Sequence, residues 1–158
     1  FRTKENLFEK IFEQKIRMLI SNIFSIDREG GTFEEKLRRK IEAHFEILKK
    51  NPKIPFLVIN EITTNPERIA SLRDSIGELP LSVYATFEQD LQKEIAQGRV
   101  RETNALDLMF SALSLNLATF LVRPVLQNIL GLTDEAMDGF LEHRKEENVK
   151  IILQSLKP

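Results

Sequence analysis

Three groups of residues have types that could do chemistry: the histidines His44 and His143, the acidic cluster Asp134-Glu135-x-x-Asp138, and polar side chains scattered among aromatics. A Glu-x-x-His di-iron pattern needs Glu at 41 or 140, where this chain has Ile41 and Phe140. The 6 glycines form no GxSxG elbow, GxGxxG fingerprint or phosphate-binding loop. The absence of Cys removes disulfides, thiolate metal sites and thiol nucleophiles together. Asp134-Glu135-x-x-Asp138 resembles the carboxylate clusters that hold Mg²⁺ on helical enzymes, yet acids directly after Thr133 are also what the positive end of a helix dipole attracts. His44 is expected at a surface or pocket edge, and the run Lys36, Arg38, Arg39, Lys40 on a solvated face. No enzyme signature survives, and neither a metal nor a cofactor is expected.

What remains is polar residues within apolar surroundings. Tyr84 and Phe87 share a helix, Phe45 and Leu48 another, and Phe24 ends the first. Asn60 and Glu61 interrupt the apolar stretch Ile54–Ile62, and Asn116 sits in the most apolar segment of the chain. Apolar walls with a few convergent polar groups suit a small-molecule pocket, although each residue could equally be ordinary core.

The elements that must position these residues are helical. Phe8, Phe12, Ile16, Leu19, Ile20 and Ile23 recur at steps of three and four, predicting a helix over 4–24 with Thr3 as its N-cap. Gly30-Gly31 breaks the pattern. Thr32-x-x-Glu35 has capping-box spacing and opens a second helix with the stripe Phe33, Leu37, Ile41, Phe45, Leu48. Asn51-Pro52 and Asn65-Pro66 predict short helices over 52–64 and 66–75. A helix over 81–97 comes next, stopped by Gly98. Asn104 and Asp107 begin the segment 105–130, closed by Gly131, and Thr133 starts a last helix running to about Leu156. The expected fold is all-α, with about seven helices and no strand.

Segment 105–130 has apolar residues on two sides: Leu106, Phe110, Leu113, Leu117, Phe120 and Leu121 on one, Leu108, Leu115, Val122, Leu126 and Ile129 roughly opposite. A helix apolar all round must be buried all round, so one face needs a partner beyond the core. Pro124 is expected to kink or interrupt it. Arg123 stops the longest apolar run, near Leu117–Val122, well short of the ~18 residues of a membrane span, and none is expected.

Charge is balanced, with Lys+Arg 23 against Asp+Glu 24 in 158 residues. That argues against a uniformly basic nucleic-acid-binding surface. Residues 1–50 nevertheless carry 12 Lys/Arg against 9 Asp/Glu. The first residue is Phe1, and the chain reads as a fragment.

The opening Phe1-Arg2-Thr3-Lys4-Glu5-Asn6-Leu7-Phe8 resembles the segment that comes after the recognition helix in tetracycline-repressor-type (TetR family) transcription regulators. Asn51-Pro52-x-x-Pro55, Asn60-Glu61, Asn65-Pro66, Gly98-x-Val100-Arg101, Ile129-Leu130-Gly131-Leu132 and His143-Arg144-Lys145 are similar in order to that family's regulatory domain. The resemblance implies a connecting helix, 1–24, joined to a ligand-binding and dimerisation domain, 25–158. It implies a helix-turn-helix domain before Phe1 that reads operator DNA, with Lys4 touching phosphate. It also implies a cytoplasmic homodimer in which the last two long helices of each chain form a four-helix bundle. The pocket residues expected on that basis are Phe24, Phe45, Ile59, Tyr84, Phe87, Leu113, Asn116, Leu117 and Phe120, with an apolar or amphipathic effector because no clustered cation accompanies them. The dimer residues expected are Leu115, Val122, Leu126, Phe140, Arg144 and Ile151. A ligand-free dimerisation or adaptor module, and a Mg²⁺-dependent helical enzyme built on Asp134–Asp138, are the alternatives.

Overall fold

A computed structural model describes residues 2–158 and, apart from residues 2, 5, 8 and 62, their side chains. Phe1 of the family-like opening and the Phe8 side chain of the first apolar stripe lie outside the described residues. Seven helices and no strand are present among the described residues: α1 (Arg2–Arg28), α2 (Phe33–Lys50), α3 (Ile54–Thr64), α4 (Pro66–Ile76), α5 (Leu79–Ala96), α6 (Ala105–Leu130) and α7 (Asp134–Ser155).

Local chemistry sets most boundaries. The Thr32 hydroxyl accepts from Glu35 N while the Glu35 carboxylate accepts from Thr32 N, so the expected capping box starts α2. Asn104 caps α6 through bonds to Leu106 N and Asp107 N, and Thr133 caps α7 through Ala136 N. Gly131 closes α6 at φ +64, a left-handed conformation that disfavours any residue with a Cβ.

Three local expectations are corrected. Thr3 lies inside α1, which runs from Arg2 and extends to Arg28, so it is not the cap. Asn51 ends α2, its side chain donating to the Ile47 carbonyl, and α3 starts three residues later at Ile54. Helix α6 continues through Pro124 to Leu130, so the proline does not interrupt it.

The body of the fold is the junction of α2, α6 and α7, with α1, α3 and α5 laid against it. Two apolar clusters form there. One gathers Leu37, Ile41, Phe87, Leu91, Leu108, Val149 and Ile152, and the other gathers Phe45, Leu48, Phe120, Met137 and Leu141. Phe45 and Phe120 meet with ring centroids 4.9 Å apart and planes tilted by 58°.

Between the clusters lies a buried polar layer. Asn116 on α6 and Asn148 on α7 are fully buried, with Thr119 and His44 almost so. Asn148 Nδ2 donates to Asn116 Oδ1 (2.9 Å), and Asn116 Nδ2 donates to the Ile41 carbonyl (2.9 Å) and approaches His44 Nδ1 (3.1 Å). Arg144 Nε donates to Asn148 Oδ1 (2.8 Å), and Thr119 Oγ1 donates to the Leu115 carbonyl (2.9 Å).

Helix α6 is, by length and composition, apolar enough to cross a membrane, contrary to the expectation from unbroken apolar runs. A core helix passes the same test, and α6 packs against α2, α3, α5 and α7.

Asn116→Leu removes the side-chain donor to the Ile41 carbonyl and His44 Nδ1 and the nearer acceptor of the Asn148 amide, leaving His44 Nδ1 unpaired and Asn148 with only Thr119 Oγ1 at 3.5 Å. Denaturant unfolding of this variant is expected to show a loss of about 2–4 kcal/mol.

Candidate functional site

Helix α2 carries two polar residues one turn apart, Lys40 and His44, and on a helical wheel both lie to one side of the core residue Leu37. Both belong to the lining of a half-open cavity of about 90 Å³ between α1 (Ile23), α2 (Leu37, Ile41), α5 (Val83, Phe87) and α6 (Leu108, Met109, Ala112, Leu113, Asn116). The wall is apolar except for Lys40, His44 and Asn116. Its volume is below the ~300 Å³ at which drug-sized ligand pockets begin.

The Asn116 network decides the state of His44. The Ile41 carbonyl can only accept, so the Asn116 amide must point its nitrogen there. That nitrogen also faces His44 Nδ1, which is therefore the acceptor, and the imidazole proton sits on Nε2. Asn116 Oδ1 is correspondingly free to accept from Asn148, and the bond directions agree around the layer. Nε2–H has no protein acceptor among the described residues. Burial removes water from the ring and pulls the His44 pKa from 6.5 to about 4, so the imidazole is neutral at physiological pH.

Lys40 is held differently. Its side chain is 12% exposed, and its ammonium forms an ion pair with Asp27, whose side chain is 6% exposed. It also lies 5.1 Å from the centroid of the Phe87 ring. The pairing with Asp27 Oδ1 falls outside hydrogen-bond geometry, and Oδ2 is buried without a partner. Lys36 Nζ donates to the Asp27 backbone carbonyl (3.2 Å), so two lysines of α2 grip the last turn of α1.

Of the expected pocket residues, the structure brings Phe87, Leu113 and Asn116 to the cavity. Tyr84 packs against the same apolar cluster without lining the cavity. Phe45 and Phe120 belong to the second cluster, and Leu117 packs on it. Ile59 is 40% exposed on α3, and Phe24 carries the Arg28 guanidinium over its ring at 4.5 Å. Sequence reasoning missed Lys40, expected on a solvated face, whereas His44, expected at a surface or pocket edge, is buried and lines the cavity. Their position beside Leu37 on the wheel was the available signal.

Among the expected dimer residues, Val122 and Ile151 are exposed. Leu115 packs against the first cluster, Leu126 and Phe140 against the second, and Arg144 bonds Asn148. Lys4 is exposed in the first turns of α1, and His143 is exposed on α7. Asp134, Glu135 and Asp138 are exposed, with Asp134 accepting from Gln127 Nε2 (3.1 Å). Among the described residues no group of three or more His, Asp or Glu could hold a metal ion.

Other depressions lie among the described residues. One of about 80 Å³ lies among α1, α3 and α4, where buried Glu61 pairs with Arg68 (2.9 Å), which also pairs with Glu9 (3.1 Å). The other is an open hollow of about 630 Å³ beside Phe33, Arg99 and Leu156, crossed by the Glu94–Arg99 ion pair (2.7 Å).

No family model matches the chain, and no curated protein matches it.

The lowered pKa of His44 makes stability depend on pH. Below pH 6.5 the unfolded chain takes up a proton that the folded chain refuses until about pH 4. The His44 contribution is therefore complete above pH 6.5 and lost as the pH falls toward 4, by about 3 kcal/mol. Denaturant midpoints at pH 7 and pH 4.5, compared between the native chain and His44→Gln, are expected to show a smaller acid loss in the variant.

Proposed function

We propose that this chain is the ligand-binding and dimerisation domain of a TetR-type transcription regulator, a repressor working on operator DNA in the bacterial cytoplasm. The observation that carries the reading is the division of labour on α6. One side of this helix lines the cavity and the core through Leu108, Ala112 and Asn116. Leu106 and Phe110 in its first turns and Val122, Val125 and Ile129 in its last turns are left exposed, Phe110 at 72%. Ile151 of α7, the helix packed most extensively on α6, is exposed as well. An apolar face of this extent is what an interface between subunits requires. A second copy related by a two-fold axis would cover it with the same face, giving a four-helix bundle of two α6 and two α7 helices.

The resemblance supplies the rest. DNA recognition belongs, in this reading, to a helix-turn-helix domain preceding α1, with Lys4 beside the phosphate backbone. Ligand in the cavity would bias α1 between two positions and so change the separation of two reading heads, which must match major grooves about 34 Å apart. The effector would then release the operator.

The small size of the cavity favours a second reading, a dimerisation or adaptor module that binds no ligand. The two readings share the dimer and differ in the effector.

Light scattering is expected to give twice the 18.3 kDa chain mass for the native protein. The doubly substituted Val122→Glu, Ile151→Glu chain is expected to run as a monomer at micromolar concentration while keeping its helical circular dichroism. A native chain that is monomeric at that concentration would sink the bundle, and with it the spacing mechanism.

A further inference from the structure

We propose that the half-open cleft between α1, α2, α5 and α6 takes the last few carbons of an unbranched alkyl chain, whose polar head stays in solvent. The inference deepens the regulator reading by naming the class of effector, and only the effector role rests on that reading.

Every helix around the cleft offers it carbon. Ile23 comes from α1, Leu37 from α2, Val83 and Phe87 from α5, and Met109 and Leu113 from α6. Three polar residues also border it, and their bonds run to protein. The Asn116 amide nitrogen is turned to the Ile41 carbonyl and His44 Nδ1, its oxygen to Asn148, and the Lys40 ammonium is paired with Asp27. The surface left facing the cleft is almost wholly apolar. A water there would lack the two to four polar partners that hold one in place, so the space favours an apolar guest over solvent.

Size and openness set the shape of the guest. A volume of about 90 Å³ is the liquid share of roughly three waters, and a methylene is close to a water in size, so three or four carbons fill it. Enclosed cavities that hold an aromatic ring have about 150 Å³, so a ring is too broad. Leu113 is a wall of the cleft and is also 42% exposed, which places the opening beside it. A chain that enters need not end there, and its further carbons and its head emerge past Leu113. A head drawn inside would exchange water for a wall that offers it no bond.

Such a wall recognises the chain and is indifferent to the head. Each methylene moved from water into apolar surroundings gains about fourfold in affinity, so a full cleft supplies about a hundredfold. Affinity therefore climbs with chain length until the cleft is filled and then levels off, whatever charge the head carries. Ile23 brings α1 into the wall, so filled and empty clefts pack differently against that helix, which is how occupancy would reach it.

Methyl-region NMR titrations of the 158-residue chain at pH 7 with ethanol, butanol, hexanol and octanol test this. Affinity read at the Ile23, Val83 and Leu113 methyls is expected to rise about fourfold per carbon up to butanol, and by less than about twofold per carbon beyond hexanol. Octanol, octanoate and octylammonium are expected to bind within about threefold of one another. Ala112→Leu fills the cleft from α6 and is expected to weaken octanol by about tenfold or more. The chain-length series on the native protein decides the matter should that variant not fold. A head-group preference above about tenfold, an affinity that climbs at one rate all the way to octanol, or no methyl shifts at the cleft would overturn the proposal. So would shifts that follow protein concentration rather than alkanol, the sign of a second copy seated there. Chain binding with no change in the operator affinity of the full-length protein would leave this site standing and remove the regulator reading. Release of operator by an effector that leaves the cleft methyls unmoved would do the reverse.

Discussion

Asn116 and Asn148 bond to each other where water does not reach, and the arrangement of the three central helices depends on that contact. Apolar clusters on either side would tolerate small slips of α6 against α7, because Leu, Ile and Phe side chains pack in many similar ways. A buried amide does not. Each amide group of Asn116 already has its partner on a different helix, and a shift of one residue in any of α2, α6 or α7 would strand several polar groups at once. The layer therefore acts as a registry device, at a stability cost that an all-apolar junction would avoid. It also reaches the cavity, since the same amide that aligns the helices fixes the tautomer of His44.

The sequence displays the helices because each boundary is local chemistry. Thr32 with Glu35, Asn104, Gly131 and Thr133 act within one turn of themselves, and the structure uses each as its residue type suggests. Thr3 and Asn51 mislead for the same reason: capping residues also occur inside helices and at their ends, and only the path of the chain decides between these uses. The two-sided apolarity of α6 is legible too, because periodicity reveals faces.

Which face meets which neighbour is a tertiary property, and periodicity does not carry it. Phe45 and Phe120 are as aromatic as Phe87, but their helices turn them toward Met137 and Leu141. Lys40 illustrates the limit more sharply. Within a run of basic residues it looks solvated, and its place nearer the Leu37 stripe is all that sets it apart from Lys36 or Arg39. It is buried because Asp27, thirteen positions earlier, returns on α1 to meet it, and a single sequence does not display that pairing.

The attachment of α1 differs in kind from that of the other long helices. Its buried apolar side chains among the described residues are Phe12 and Ile26, while Leu7, Ile11 and Met18 face outward. Much of its hold is electrostatic: Asp27 to Lys40, Glu29 to Arg39 (2.5 Å), Glu9 to Arg68 (3.1 Å), and Arg17 to the Ser75 carbonyl. Exposed pairs of this kind contribute about 0–1 kcal/mol each, whereas a buried leucine or phenylalanine contributes several times more. Segments that shift within a folded protein are drawn from its least strongly held parts. On that scale α6 and α7 form the fixed frame and α1 is the helix that can be displaced at small cost. The one buried member of its ionic contacts, Asp27 on Lys40, ties its last turn to the middle of α2.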